Sequence, residues 1–493
     1  MNSVVKHINF RFVSKIVGLT CILECGFLLS ALFVALVYGG EDVLPFVFTM
    51  LTMLGLGSVG WLWGRRADSK QNKRLSRKEG MLIVTLIWLL LSFVGMLPFI
   101  FGNYVTSISD AFFETMSGFT TTGATIFRSV ETLPHGILFW RSILQWQGGI
   151  GIVVFTLALL PIITGDRGAS MVYNAETTGI MHDRFLPRIS TVSKRLASVY
   201  VFMTLLLFFL LWLGPMDIFD ALCHALTCIS TGGYSTKDAS IAYYHSPYLE
   251  YVITGFMFIS SLSLSLIYFC FIGKPMKLFK DEEFRWFIVV VLSATFITCY
   301  WLYSFGEFNS VEEMVRTVLF QIVSFISSTG FVTSDTTLWR PFFWSIMLML
   351  MFVCGCSGST AGGFKISRLM VLVKNLRNEF KKRIHPNSVV PVRANGIVIP
   401  GAMVSQVLAF FFAYLGLIGM GVLLLTFDGL PFLESVSASI SATGNVGPAL
   451  GSLTANMADI SPFAKWVLSF LMLAGRLEIF TVLSLLRPAF WRE

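Results

Sequence analysis

The sequence predicts an all-α polytopic membrane protein: four non-identical repeats of helix, re-entrant loop and helix about one axis, preceded by two further transmembrane helices. Three observations predict it. The 493 residues are 55% hydrophobic and only 13% charged, with mean hydropathy +0.74, too little charge to cover a soluble protein of this length. Apolar and basic segments alternate along the whole chain. A fourteen-residue element recurs four times without gaps.

Apolar runs near the ~20 residues that span a bilayer include 16–38, 81–101, 199–213 with its flanks, 286–303 and 404–427. No polar stretch is long enough to hold a soluble core. The first run follows Lys6, Arg11 and Lys15. It is too long for a signal-peptide core and lacks a small-residue cleavage site, so it is expected to be a retained helix. The eight cysteines form no CxxC pair and lie mostly in apolar runs, as buried reduced thiols. The six histidines are scattered singly, which argues against a metal cluster.

Basic residues cluster at Arg65, Arg66, Lys70, Lys73, Arg74, Arg77 and Lys78, and again within 167–195, 274–285 and 365–393. The segments between them (41–42, 110–131, 217–250, 307–335 and 428–459) are mostly acidic or neutral. The positive-inside rule places the basic clusters and both termini in the cytoplasm. The net charge of +8 is therefore a signature of topology, and nucleic-acid binding is not expected. Alternation of sides calls for ten crossings, near 16–38, 43–64, 80–102, 136–163, 196–214, 248–272, 285–305, 341–372, 402–427 and 462–486.

Four outer segments remain, and they align. They read DAFFETMSGFTTTG (110–123), DALCHALTCISTGG (220–233), TVLFQIVSFISSTG (317–330) and ESVSASISATGNVG (434–447). Two positions stay apolar throughout: Phe112, Leu222, Leu319 and Val436, then Met116, Leu226, Val323 and Ile440. Such self-similarity marks a repeated architecture. The expected divisions are a two-helix extension at 1–79 and repeats at 80–195, 196–284, 285–400 and 401–493.

Each element has the makeup of a half-helix too short to cross, with acidic residues at or near its start (Asp110, Asp220, Glu312 and Glu313, Glu434). An extended Thr/Ser/Gly stretch follows. Non-helical backbone is tolerated at membrane depth only when buried in protein or lining a water-filled path. The four stretches are therefore expected to converge, and backbone carbonyls from them can replace the hydration shell of a cation. Glycine is needed where carbonyls must turn inward with backbone angles a Cβ forbids. Half-helix dipoles would favour a cation in the cavity below, and outer acidic residues would raise the local cation concentration.

These segments resemble a known family. TTTGAT (120–125), STGGYST (230–236), SSTGF (327–331) and GNVGP (444–448) are similar to the four filter segments of the Trk/Ktr/HKT superfamily, most closely its bacterial TrkH/TrkG branch. CGCSGSTAGGFKISR (354–368) resembles the family's intramembrane loop, AGRLEIFTVL (474–483) its last helix and PAFWRE (488–493) its C-terminus. The resemblance implies a K+ pore with filter residues Thr121, Thr122 and Gly123; Thr231, Gly232 and Gly233; Ser328, Thr329 and Gly330; and Asn445, Val446 and Gly447. Na+-favouring relatives carry serine at the first filter-glycine position, so Gly123 argues for K+. Ala449 departs from the family, which often has glycine there. A local change at the outer mouth is expected.

The run Gly355-Cys356-Ser357-Gly358-Ser359-Thr360-Ala361-Gly362-Gly363 interrupts an apolar helix. By itself it either packs tightly or forms a mobile barrier; the resemblance implies a gate beneath the filter. Lys365 is expected at the cytoplasmic mouth. Arg476 lies inside an apolar run, so it either faces the pore or a partner, or snorkels to the surface. The resemblance implies a positive barrier to cations. Glu478, two residues on, should face elsewhere.

The match of residues 55–60 to GxGxxG lies in an apolar run with no strand before it, so helix packing is expected there and at Gly64 and 148–151. No Walker motif, nucleophile–base pair or metal constellation points to an enzyme, and no organic cofactor is expected. The resemblance further implies a homodimer in the bacterial inner membrane. It also implies a TrkA-type cytosolic NAD/ATP-binding regulatory subunit on the basic inner loops. A K+/H+ or K+/Na+ symporter on the same fold is the alternative. Proton coupling would need a titratable group in the path, and the four stretches offer none.

Overall fold

The computed structural model describes residues 8–65, 77–151, 189–306, 308, 310–336, 339 and 341–492. Most of the basic cluster 65–78, most of 167–195 and the end of the 136–163 span lie outside the described residues.

Long helices stand where sustained apolar runs predict them: Phe10–Val37, Val43–Arg65, Arg77–Gly95 continued by Leu97–Phe101, Ile189–Trp212, Glu282–Tyr303 and Gly401–Phe427. Among the described residues six helices are long and apolar enough to cross a bilayer, and two bent pairs bring the total to eight. The chain is a multi-pass membrane protein. The all-α expectation has one exception, a two-residue hairpin pairing Arg393 with Val398 and Ala394 with Ile397.

The first two helices pack backbone to backbone. A Cβ on Gly57 or Gly64 would come within 3.0 Å of the opposite helix, and Gly18 would strike the backbone of Gly57 and Trp61. Lipid tails are as apolar as leucine, so such helices associate through close packing rather than hydrophobic burial. Gly55, the first glycine of the rejected motif, has nothing within 4 Å.

Four short helices follow the expected half-helices: Ile108–Phe119, Ile218–Ile229, Val311–Ile326 and Phe432–Gly444. Side-chain caps fix two of their starts. Asp217 accepts from Asp220 N at 2.8 Å, and Ser310 accepts from Glu313 N at 3.1 Å.

The last helices of the second and fourth segments correct the sequence reading, which placed a break only at 355–363. Pro247–Ser260 and Leu264–Phe271 meet at 108°, and Pro462–Arg476 and Ile479–Leu486 at 117°. The apolar runs 248–272 and 462–486 are thus each bent rather than continuous. Pro341–Phe352 and Ile366–Ile384 flank the expected break. The bend at 261–263 is stable because the glycine-rich loop reaches across to it. Cys356 N donates to Ser261 O at 2.8 Å, and Leu264 N to Gly358 O at 3.0 Å. Backbone freed by one break is satisfied by another.

Candidate functional site

Each short helix ends in the same turn. Thr121 N, Thr231 N, Ser328 N and Asn445 N bond three residues back, at 3.0, 3.0, 3.1 and 3.3 Å. The next N–H bonds five back: Thr122 to Ser117 O at 2.9 Å, Gly232 to Thr227 O at 2.8 Å, Thr329 to Ser324 O at 3.0 Å and Val446 to Ser441 O at 2.9 Å. This is the Schellman closure of a helix C-terminus. Its left-handed residue, usually glycine, is here Thr121, Thr231, Ser328 or Asn445, with φ of 53°, 55°, 57° and 54°. Left-handed backbone costs a non-glycine residue roughly 1–2 kcal/mol, and strain of this kind clusters at functional sites.

Two residues on, Gly123, Gly233, Gly330 and Gly447 have φ of 84°, 79°, 80° and 102°. The residue between each pair is not in that region. Such alternation can turn successive carbonyls to one side, where an ordinary strand sends them to opposite sides.

The four turns close on one another. A Cβ on Gly123 would fall within 3.0 Å of Gly232 O, on Gly233 of Thr329 O, on Gly330 of Val446 O, and on Gly447 of Thr122 O. Taken in chain order the contacts run first to second, second to third, third to fourth and fourth back to first. Eight of the twelve expected filter positions make these contacts and so form one closed ring, and the other four, Thr121, Thr231, Ser328 and Asn445, directly precede them in the chain. The glycines are required twice, by conformation and by contact with a neighbouring backbone oxygen.

Three residues that sequence reasoning did not single out, Gln145, Arg141 and Glu114, lie behind this ring. Gln145, fully buried, donates from Nε2 to Gly232 O at 2.7 Å and accepts at Oε1 from Tyr234 N at 3.0 Å. Arg141 and Glu114 form a buried ion pair at 2.8 Å, with side chains 2% and 1% exposed. Glu114 also accepts from Ile126 N at 2.9 Å, and the guanidinium lies 4.1 Å from the centre of the Tyr234 ring. Arg141 stands within the apolar run 136–163, so the rule that singled out Arg476 applies to it equally.

The outer acidic residues are engaged rather than free. Asp110 pairs with Lys465 at 2.7 Å. Asp220 accepts from Thr236 and Tyr244, each at 2.6 Å. Glu434 accepts from Ser452 N at 3.0 Å. Burial alone would lower the Lys237 pKa, but Asp220 at 3.4 Å more than offsets this and holds the ammonium above its usual range. These carboxylates brace the outer loops; the expected surplus of negative charge is partly neutralised. Ala449 is fully buried.

The glycine-rich run sits directly against the ring. Gly362 N donates to Ser328 Oγ at 2.9 Å. Thr360 Oγ1 bonds both Ile229 O and Ser260 O at 3.2 Å. Arg476 donates to Thr360 O at 2.7 Å and to Gly148 O and Gly149 O. It therefore ties the loop to the helix His135–Ile150 and does not snorkel outward. Lys365 bonds back to Ala361 O, so its ammonium turns into the loop rather than out at a mouth. Glu478, in the break between the two halves of the last helix, pairs with Arg368 at 2.5 Å.

A family model described as TrkH, cation transport protein, matches residues 48–492. This chain belongs to the TrkH family. It is 38% identical over 488 residues to the Trk system potassium uptake protein TrkH of Escherichia coli strain K12, covering 98% of this chain and all of that one. It is 30% identical over 480 residues to TrkG of the same organism, covering 95% and 98%. The crystal structure of the potassium transporter TrkH from Vibrio parahaemolyticus superposes with a TM-score of 0.88 at 36% identity, covering 98% of this chain and all of that one. TrkH-family proteins are transporters, not enzymes. Among the described residues no group of three or more His, Cys, Asp or Glu is placed to hold a metal.

Proposed function

We propose that this chain takes up K+ through one pore formed by its four repeats, with Thr121–Gly123, Thr231–Gly233, Ser328–Gly330 and Asn445–Gly447 as the selectivity filter. The observation that carries the reading is the closed ring, in which Gly123, Gly233, Gly330 and Gly447 each abut a carbonyl of the next stretch. Its full-length relatives are named potassium uptake proteins. A K+ ion leaving water would exchange its hydration oxygens for backbone carbonyls of this ring. The membrane potential drives the flux, at about 2.3 kcal/mol per charge per 100 mV.

In the same reading the loop 355–363 with Lys365 is the gate, and Arg476 is the positive barrier beside it. The contact between Gly362 and the filter residue Ser328 supports this placement. The basic inner loops, with both termini, face the cytoplasm of a bacterial inner membrane, and a TrkA-type NAD/ATP-binding subunit docks there on a homodimer.

Purified protein in proteoliposomes tests the transport reading directly. Rb+ uptake should appear, grow with an imposed inside-negative voltage, and be competed by K+ far better than by Na+. Uptake that ignores voltage but follows a proton gradient refutes the channel-like mechanism.

A further inference from the structure

We infer that Glu283 is the positioning residue that staples the intramembrane loop shut, and that the helix Ile366–Ile384 with the hairpin at 393–398 is the handle through which a cytosolic load reaches it. The inference rests on the reading of the loop as the gate.

Glu283 sits in the first turn of Glu282–Tyr303 and is only 6% exposed. One carboxylate oxygen, Oε1, accepts from Ser357 N at 2.7 Å and from Ser367 N at 3.0 Å. These two donors flank the loop. Ser357 lies near its start, and Ser367 is in the first turn of the helix that leaves it. Helix N-terminal amides lack intrahelical partners and favour a negative charge. A hydroxyl pair, Ser357 and Ser367 at 2.5 Å, closes the same base. Between them lie Thr360 and Gly362, which contact Arg476 and Ser328. The carboxylate therefore fixes the base of the segment that touches both the ring and the arginine.

The neighbouring acids face the other way. Glu282 pairs with Lys374 and accepts from Asn395 N at 3.0 Å. Asp281 accepts from Asn395 Nδ2 at 2.8 Å. The helix Ile366–Ile384 is also held by Arg368 on Glu478, two residues from Arg476. One turn of Glu282–Tyr303 thus grips the soluble hairpin on one side and the loop base on the other, one peptide bond apart.

The test uses full-length protein in proteoliposomes, with the variants E283Q and E283A. Labelling of Cys354 and Cys356, 0% and 3% exposed, by a membrane-permeant maleimide is read site by site by peptide mass spectrometry. Gln keeps the shape but not the charge, and charge-assisted bonds are about twice as strong as neutral ones. E283Q is expected to raise labelling of both thiols about tenfold and E283A more, with Cys228 labelling unchanged. Basal Rb+ flux should rise several-fold in parallel, with the K+/Na+ ratio kept. A misfolded variant would lose flux, so a gain separates positioning from mere structure. If E283A does not fold, E283Q carries the test alone. Labelling unchanged in a folded variant overturns the staple. Labelling raised with flux unchanged upholds the staple and overturns the gate.

Discussion

Gly123→Ser tests the ring where its first turn meets its second. The perturbation acts twice. At φ of 84° any Cβ costs roughly 1–2 kcal/mol in backbone strain. The same Cβ would fall within 3.0 Å of Gly232 O, a backbone atom. That oxygen cannot simply retreat, because Gln145 holds it at 2.7 Å. The first and second turns must therefore separate, and carbonyl spacing in the ring changes. A change of about 1.4 kcal/mol in the relative binding of two ions is a tenfold change in their ratio. Because the changed carbonyl spacing acts on two ions of different radius, a difference of about 1.4 kcal/mol between them is the expected effect, a loss of about one order of magnitude in K+/Na+ discrimination. The assay is Na+ competition against Rb+ uptake in proteoliposomes, with monodispersity checked on the same sample. Gly55→Ala, where nothing lies within 4 Å, is the control and should leave the ratio intact. An unchanged ratio in well-folded Gly123→Ser protein refutes the claim that this ring selects the ion.

Three further outcomes follow from the packing. Gly57→Ala should destabilise the first helix pair by about 1–3 kcal/mol through overpacking, whereas Gly55→Ala should be neutral or slightly stabilising; thermal melts in detergent read the difference. Arg141→Met alone leaves Glu114 buried without its partner and should cost about 3–5 kcal/mol, with a large fall in melting temperature. Adding Glu114→Gln should recover part of that loss, and simple additivity would show the pair is uncoupled. Arg476→Ala should raise Rb+ flux, because it removes a charge that bridges the loop to Gly148 and Gly149; a plain loss of flux with normal folding would sink the barrier idea.

Much of this was legible in the sequence, for physical reasons that differ by element. The six long crossings among the described residues follow from run length, because a bilayer demands about 20 apolar residues; Gly401–Phe427 falls within a residue of its expected start. The four ring glycines were legible through register, since only a repeated element keeps glycine at the thirteenth residue after each start. The bends at 261–263 and 477–478 were not. Ser261 and Ser263 break no local propensity strongly. Their bend is held by Cys356 N and Leu264 N, bonds to and from a loop some 90 residues away. Arg141 and Gln145 are not legible in the repeat for a simpler reason: they stand on the helix behind the turns, which the register of the repeated element does not include.

The fourfold likeness of the ring and the unlikeness of what lies beneath it have one physical origin. In the proposed filter, ion binding asks the same of every turn, a left-handed residue and then a glycine against a neighbouring carbonyl, and all four turns have that geometry. Below the ring, symmetry would leave the carbonyl ends of the short helices facing one another around an open cavity. The chain instead sends one segment across it. Thr360 takes Ile229 O, and Gly362 lies so close to Gly444 O that a Cβ would come within 3.0 Å of it. Gly475 approaches Thr443 O in the same manner from the last segment. A crossing segment needs its own backbone satisfied, which the bend at Ser261, the Glu283 carboxylate and Arg476 supply. Displacing the loop therefore requires these bonds to break together, and that cooperativity suits a barrier with two discrete positions better than one that yields gradually.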